Sequence, residues 1–167
     1  MHLIIWESPH TKKKYDTNGN FERAKSRVCP HGFKQIPHVD FDPDATEAPT
    51  LAIEHGMFLL QLQVIRDMKC TQVDFKSAFQ NTDLQGFDIY MKPPKGLRLP
   101  DGYVSKLHRT LQGMKQAAHD FHYHKVDKLL TEYGLSSNPI EPCIYSKWVS
   151  DLLVGVYVDD LRITRRG

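Results

Sequence analysis

Three aspartates stand where apolar segments of the sequence break or end, and their chemistry is that of ligands for hard cations. Asp74 interrupts the apolar residues of "TQVDFKSAF", and the pair Asp159-Asp160 follows the apolar run "LLVGVYV". A core strand does not accommodate paired negative charge, so these carboxylates need water, a partner or a metal. If the two segments lie side by side, the carboxylates repel one another unless a divalent cation neutralises them.

Ligands that are all oxygen suit Mg²⁺ or Mn²⁺, which bind through a few carboxylates together with substrate phosphates. Two such ions about 4 Å apart support in-line phosphoryl or nucleotidyl transfer. The alternative is a solvated turn, which is the commoner role of an isolated Asp-Asp pair at a hairpin tip. The apolar run before "YVDD", together with Asp74 upstream, favours the metal site.

The composition is that of an ordinary globular chain of one domain or two small ones. Of its 167 residues, 40% are hydrophobic and 25% charged, and the net charge of +2 gives little support for a nucleic-acid partner. Three scattered cysteines argue against a disulfide framework and for a reducing compartment. No apolar run reaches the roughly 18 residues of a membrane span, and no signal peptide is apparent. We therefore expect the cytoplasm or nucleus and no membrane partner.

The N-terminal part predicts a basic hairpin followed by a loop. Asn18-Gly19 is a strong hairpin-turn signal. In the following segment, alternation places Arg23, Lys25 and Arg27 on one face of a strand. Residues 37–50 hold three prolines and four acidic residues and predict a loop.

Two helices are predicted further along the chain. Thr50 is the predicted cap of the first, whose apolar residues share one stripe. These residues are Ile53, Met57, Leu60 and Val64. The second is predicted from Lys115 to Tyr133 and is stopped by Gly134.

The C-terminal segment "CIYSKWVSDLLVGVYVDDLRIT" predicts an antiparallel meander. Its turns are expected near Ser150-Asp151 and Asp159-Asp160. Because helices and antiparallel strands mix without strict βαβ alternation, the predicted fold class is α+β.

Three histidines on the second predicted helix raise the question of a zinc site. His119 and His122 share a face of a regular helix, while His124 lies nearby in sequence. Since no third ligand stands at a standard spacing, we expect exposed histidines or histidines at the edge of the core.

Six short blocks follow one another between about Tyr15 and Thr164. They are "YDTNGNFERAKSRVCPHGFKQ", "EAPT", "QVDFKSAFQNTDL", "IYMKPPKGL", "LHRTLQGMKQAAHDFH" and "VYVDDLRIT". In this order they resemble the reverse transcriptase domain of copia-type LTR retrotransposons. The fourth block, for example, is similar to the family's Tyr-Met-x-Gln-Pro-x-Gly-Phe.

The resemblance implies a polymerase palm and fingers, with an antiparallel sheet packed on helices. It implies that Asp74, Asp159 and Asp160 are catalytic carboxylates that bind Mg²⁺ or Mn²⁺. The 3′-hydroxyl of a primer on an RNA or DNA template would attack the α-phosphate of a dNTP, and pyrophosphate would leave.

Four further residues receive nucleotide-binding roles by the same resemblance. Lys25 and Arg27 would neutralise the triphosphate; the alternative is a solvated basic strand face. Phe79 would act as a steric gate against a ribose 2′-hydroxyl, or would simply pack in the core. Gln112 would contact the incoming nucleotide, although copia-type chains usually have Tyr-Gly where this chain has Gln-Gly.

The sequence also departs from the family pattern. "CPHGF" replaces Val-Ala-x-Gly-Phe, "AAHDFH" lacks the family's Arg and Trp, and the chain stops shortly after Asp160. We expect an incomplete domain, with residues 1–50 fingers-like, residues 51–167 a palm with an intervening fingers segment, and no thumb or RNase H.

The resemblance and the departures from it suggest two alternative functions. The first is a fragment of an RNA-directed DNA polymerase, active or vestigial, that binds template-primer and dNTPs. The alternative is an inactive or domesticated fold that binds nucleic acid or protein. An incompletely covered sheet edge at "LRIT" would favour association with another chain.

Overall fold

The computed structural model describes residues 3–4, 10–93 and 99–167, which form two compact units. The first unit comprises Met1–Thr46 and Phe79–Ala117, and the second comprises Glu47–Ala78 and Ala118–Gly167. The strands are β1 (Leu3–Ile4), β2 (His10–Tyr15), β3 (Phe21–Arg27), β4 (Met68–Asp74), β5 (Tyr90–Met91), β6 (Ser105–Lys106), β7 (Ser136–Ser137), β8 (Ile144–Lys147), β9 (Leu152–Tyr157) and β10 (Asp160–Arg166). The helices are α1 (Ile53–Ile65) and α2, which joins Ala117–Asp120, the π-helical Phe121–Asp127 and Lys128–Glu132.

The first unit contains an antiparallel ribbon, β2–β3, and a small sheet of order β1-β5-β6. The predicted Asn18-Gly19 turn closes the ribbon, with Gly19 at a φ of +83°. Asp16 stabilises this turn because its carboxylate accepts hydrogen bonds from the backbone N–H groups of Asn18 and Asn20. The bond from Asn20, followed by further bonds within the turn, lowers the pKa of Asp16.

The core of the first unit is a cluster of Ile89, Met114 and Ala117, each at most 6% exposed. Partly buried apolar side chains surround this cluster. They are Phe79, Leu84, Phe87, Leu107 and Leu111. The unit therefore has an apolar centre of its own, built mainly from short strands and loops.

The second unit is built on an antiparallel sheet of order β4-β10-β9-β8-β7. Helix α1 covers one face, where a Cβ on Gly155 would lie only 2.8 Å from Leu59 Cδ1. Helix α2 contacts the other face, where the Tyr145 hydroxyl donates a hydrogen bond to Asp127 Oδ1 at 2.9 Å. Burial raises the pKa of Tyr145, so the phenol remains a donor.

The predicted elements are largely confirmed. Helix α2 ends before Gly134, whose φ is +79°, and the segment at residues 37–50 is a loop with short turns. The C-terminal strands form the predicted meander, and its first turn includes Asp151 in the left-handed region. Mixed helices and antiparallel sheets confirm the α+β class.

The prediction for α1 was wrong in its cap and in its buried face. Helix α1 begins after Ala52, which makes no side-chain cap, and not after Thr50. Its buried residue is Leu59, whereas Ile53 and Val64 of the predicted stripe are 79% and 81% exposed. Leu59 packs where Gly155 opens space in the sheet, so the tertiary contact decides which face is covered.

The second meander turn lies one residue earlier than predicted. Asp160 pairs with Tyr157, so the turn residues are Val158 and Asp159, and Asp160 begins β10. Within the described ranges, no helix combines the length and apolar character needed to cross a membrane.

Candidate active site

Two of the three candidate carboxylates face each other across adjacent strands. Asp74 is the last residue of β4 and Asp160 the first of β10, and they are direct partners in the antiparallel register. The Phe75 N–H donates a hydrogen bond to the Asp159 carbonyl at 3.0 Å. Hydrogen-bonded and non-hydrogen-bonded pairs alternate along an antiparallel ladder, so the neighbouring Asp74–Asp160 pair is a non-hydrogen-bonded one. Side chains of such a pair share a face and come from Cα atoms about 4.5 Å apart.

The third carboxylate belongs to the turn that joins β9 to β10. Asp159 is bound through its carbonyl to Phe75, the residue that follows Asp74. Phe75 is itself held by an edge-to-face contact with Phe121 of α2, at 5.4 Å between ring centroids. We call Asp74, Asp159 and Asp160 the carboxylate cluster for their neighbouring backbone positions. Their side-chain oxygens do not converge as a set of three, since among the described residues the group of three or more convergent metal-ligating side chains is His119, Asp120 and His124.

The turn contains an unusual backbone conformation. Val158 has a φ of +55°, a left-handed value that β-branched residues rarely adopt. Of the two central turn residues, Val158 has a positive φ and Asp159 does not. This pattern fits a type II′ hairpin turn, whose first central position favours glycine. The tight hairpin therefore stores strain directly beside the carboxylate cluster.

The register places the negative charges of Asp74 and Asp160 directly opposite each other. Asp74 is exposed, and Asp159 and Asp160 are half-buried. In the part of the chain that the structure describes, no Lys, Arg or His forms an ion pair with any of the three. Like charges directly opposite each other destabilise a strand pair, so a bound cation would relieve a repulsion that the fold creates.

A cleft of about 340 Å³ opens beside Asp160, between α1 and the sheet. Gln72, Asp160 and Arg162 line it from the sheet, as the register on β4 and β10 requires. Apolar residues of the α1 region, including Leu51 and Met57, form the opposite wall. Asp160 is the one carboxylate among the lining residues, and carboxylate oxygen is a ligand type that Mg²⁺ and Mn²⁺ accept.

Lys25 and Arg27 lie in the first unit, on the exposed strand β3. The register pairs Lys12 with Lys25 and Lys14 with Arg23, so these side chains share one side of the ribbon with Arg27. The predicted single face for Arg23, Lys25 and Arg27 is confirmed. We call these five cations the basic face.

Sequence reasoning missed two members of the basic face, Lys12 and Lys14. The signal was present in "HTKKKY", where alternate lysines precede a strong hairpin turn. Combining that alternation with the Asn18-Gly19 turn would have placed Lys12 opposite Lys25. Such like-charge pairs favour a polyanionic ligand on this face.

Phe79 belongs to the first unit and packs against its apolar core. It contacts the cluster of Ile89, Met114 and Ala117, and its carbonyl accepts a hydrogen bond from Thr110 Oγ1 at 2.5 Å. The side chain is half-buried and not fully enclosed. Packing in the core and a steric role at its remaining surface are both consistent with this position.

Gln112 is exposed in a turn of the first unit that is fixed by its neighbours. Gly113 has a φ of +104°, and a Cβ on Gly32 would lie within 2.0 Å of the Gly113 carbonyl oxygen. Beside this contact, Gln35 Oε1 accepts the Lys115 N–H at 2.7 Å. Two tight backbone segments thus hold the Gln112 turn in place.

Comparison with known proteins identifies the family. The family model for reverse transcriptase (RNA-dependent DNA polymerase) matches residues 4–167. The chain belongs to this family. The resemblance to copia-type retrotransposon reverse transcriptases is thereby confirmed, since the similar proteins are Pol polyproteins of plant transposons.

Two of these relatives are 31% identical to the chain and cover 91% of it. They are the retrovirus-related Pol polyproteins from transposon TNT 1-94 of Nicotiana tabacum and from transposon RE1 of Arabidopsis thaliana. The chain spans only 12% and 10% of the length of these two polyproteins. No solved structure matches the chain.

Proposed function

We propose that this reverse transcriptase domain transfers nucleotides to a primer 3′-hydroxyl by a two-metal mechanism. In this proposal Asp74, Asp159 and Asp160 hold Mg²⁺ or Mn²⁺. The second unit would act as the palm, and the basic ribbon of the first unit would act as part of the fingers. The substrates are dNTPs and a primer annealed to an RNA or DNA template.

The cross-strand pair of Asp74 and Asp160 is the observation that carries the proposal. Its repulsion is a cost in folding stability that a purely structural hairpin has no reason to retain. The strained Val158 turn beside it adds a second cost at the same point. A divalent-cation site that binds substrate phosphates accounts for both.

The reaction forms a bond between the primer 3′-oxygen and the α-phosphorus and breaks the bond from that phosphorus to the bridging oxygen of pyrophosphate. When bound, the divalent ions neutralise charge on the phosphates and lower the pKa of the attacking hydroxyl. In the proposal, Asp74, Asp159 and Asp160 would hold the ions where β4 ends and β10 begins. In the proposal, Lys25 and Arg27 neutralise the triphosphate, Phe79 excludes a 2′-hydroxyl, and Gln112 contacts the nucleotide.

The test replaces each aspartate of the carboxylate cluster by asparagine. We expect Asp74→Asn, Asp159→Asn and Asp160→Asn to weaken Mn²⁺ binding, measured by electron paramagnetic resonance. Single-nucleotide extension of a primed template with Mn²⁺ should fall about a hundredfold or more, because metal charge stabilisation is worth several kcal/mol.

Asp151→Asn is the matched control for these variants. It removes one carboxylate from the other hairpin turn of the same sheet, at a φ of +46° that asparagine tolerates. Mn²⁺ binding and extension should be unchanged. If the control and the Asp74 variant behave alike, the carboxylate cluster is not the metal site.

The basic face supports a second candidate, a nucleic-acid-binding module without catalysis. Five cations on one side of an exposed ribbon need no metal to bind a polyanion. The test compares the wild type with a variant in which asparagine replaces all three cluster aspartates. If both proteins bind nucleic acid and neither shows measurable extension at any Mn²⁺ concentration, the binding module is favoured.

A further inference from the structure

A second group of metal-ligating side chains lies on α2 and is not part of the carboxylate cluster. His119 Nδ1 is 3.4 Å from Asp120 Oδ1, and His124 Nε2 is 4.0 Å from the same oxygen. One ligand atom from each residue lies within 4.8 Å of the others. We call His119, Asp120 and His124 the histidine cluster.

The π-helical turn explains why these three side chains meet. In a regular α-helix, His119 and His124 would be separated by about 140° around the axis, because each residue turns it by about 100°. The π turn from Phe121 to Asp127 is wider and brings residues five apart onto one side. The imidazole rings of His119 and His124 consequently lie 5.9 Å apart between centroids.

The pair suggested by regular helical spacing, His119 with His122, is not the one that forms. His122 is only 5% exposed and is absent from the histidine cluster. Burial lowers the pKa of His122, so this histidine is a neutral core residue at pH 7. The third ligand that a standard spacing did not offer is Asp120, one residue after His119.

The spacing suits a borderline divalent ion. Zn²⁺ with nitrogen and oxygen ligands at about 2.0–2.2 Å requires tetrahedral ligand atoms about 3.3–3.6 Å apart. The His119–Asp120 distance of 3.4 Å already meets this requirement. The His124 side chain is 44% exposed, so it is free to make the shift of about 1 Å that brings ligand atoms up to 4.8 Å apart into tetrahedral contact.

The residues around the histidine cluster restrict two of its ligands and leave the third accessible to solvent. The Asp120 side chain is 5% exposed, and the His119 ring lies against Tyr123 at 4.7 Å between centroids. Two rigid ligands and one movable ligand at the surface give an entry path for an ion. Three protein ligands leave a fourth position for water.

We propose that His119, Asp120 and His124 form a binding site for Zn²⁺ or a similar borderline divalent ion, separate from the Mg²⁺ or Mn²⁺ site. The two sites are distinguished by ligand chemistry, since imidazole nitrogen favours Zn²⁺ and all-oxygen ligands favour Mg²⁺. The ion would join successive turns of α2 across its π-helical segment, and so would stabilise that segment against unwinding.

The test measures Zn²⁺ affinity by equilibrium dialysis of untagged, reduced protein in millimolar Mg²⁺. We expect one Zn²⁺ per chain in the wild type, and Co²⁺ substitution should give the visible absorption of a four-coordinate site. His124→Asn and His119→Asn should each weaken Zn²⁺ at least tenfold, since even indirect partners of a metal contribute 10- to 100-fold. Thermal unfolding of the wild type, but not of His124→Asn, should shift upwards with Zn²⁺.

His108→Asn is the matched control, because His108 is an exposed histidine of the first unit. It should bind Zn²⁺ as the wild type does, and so should Asp159→Asn. Equal Zn²⁺ affinity in His124→Asn and wild type would overturn the proposal. So would loss of Zn²⁺ in Asp159→Asn alone, which would assign the ion to the carboxylate cluster. His124 is exposed, so its variant remains informative even if His119→Asn does not fold.

Discussion

At the scale of single residues, Val158 makes the sharpest stability prediction. Its φ of +55° is costly for a β-branched side chain and ordinary for glycine. Strain of this kind is worth about 1–3 kcal/mol, whereas glycine adds about 0.5–1 kcal/mol of unfolded-state entropy. Val158→Gly should therefore raise the free energy of unfolding by about 1 kcal/mol in denaturant titrations. Asp151→Gly, at the other hairpin turn, should raise the free energy of unfolding by less, because aspartate tolerates the left-handed region. If Val158→Gly instead lowers the free energy of unfolding, Val158 is not strained.

Phe79 allows the two functions of one aromatic ring to be separated. Phe79→Ala should cost about 2–3 kcal/mol of stability, since it removes packing against Met114 and Ile89. If Phe79 is also the sugar gate, the variant should incorporate ribonucleotides more readily in a primer-extension assay. Phe87→Ala is the control, because Phe87 packs against the same cluster. If both variants discriminate equally between ribonucleotides and dNTPs, the role of Phe79 is core packing only.

Residue types and short spacing indicate Asp74, Asp159 and Asp160 as candidate metal ligands, and the structure confirms only that Asp74 and Asp160 lie on adjacent strands. Asp74 and Asp159-Asp160 stood out because charge interrupts apolar strands, which is a local signal. The observed turn lies one residue earlier than the predicted one, because valine at position 158 is not a typical turn residue and gave no local signal. Which aspartates face each other depends on strand register, and register is set by contacts far apart in sequence.

At the scale of elements, Glu141 ties the start of α1 to the segment before β8. Its Oε2 accepts hydrogen bonds from the Ala52 N–H at 3.4 Å and from His55 Nδ1 at 2.6 Å, and Oε1 accepts the Cys143 N–H at 3.3 Å. Burial by itself would raise the pKa of Glu141, but the hydrogen bond from His55 and the backbone donors together lower it.

A lowered pKa means that this stabilisation is present above the ordinary glutamate value of 4.5 and is lost as the pH falls through the folded-state pKa. Glu141→Gln should lower the free energy of unfolding at pH 7 by about 1–3 kcal/mol. Below pH about 4.5, its stability should fall less steeply than that of the wild type. Glu47→Gln changes an exposed glutamate and should leave both the stability and its pH dependence unchanged in urea titrations at each pH.

The elements that sequence reasoning misjudged are those decided by tertiary packing. The apolar stripe of α1 indicated Ile53 and Val64 as buried, but Gly155 makes room for Leu59 instead. The π turn of α2 has no local signal in "FHYHKVD", and it changes which histidines meet. The ribbon was predictable because alternation and an Asn-Gly turn are both local.

At the scale of the whole molecule, the candidate site residues divide between the two units. The carboxylate cluster and the histidine cluster lie in the second unit. The basic face, Phe79 and Gln112 lie in the first unit. The chain passes from one unit to the other at residues 46/47, 78/79 and 117/118, so neither unit is a continuous segment. Binding of metal and binding of polyanion should therefore be separable by substitution.

The last prediction tests this separation with the double variant Lys12→Gln/Lys25→Gln. Its two lysines face each other on the ribbon, so the variant removes a repulsive pair without unfolding the exposed strands. The slope of log affinity against log salt for a single-stranded oligonucleotide should decrease by about 1.4, because each phosphate contact contributes about 0.7. Fluorescence anisotropy at several salt concentrations measures this slope.

The same variant should bind Mn²⁺ as the wild type does, because its substitutions lie outside the carboxylate cluster. Lys69→Gln/Lys128→Gln removes the same charge from exposed positions of the second unit and is the matched control. An equal loss of slope in the control would mean that nucleic acid responds to net charge and not to the basic face. A larger loss in the ribbon variant identifies the basic face as the surface that follows the phosphate backbone, whichever of the two candidate functions is correct.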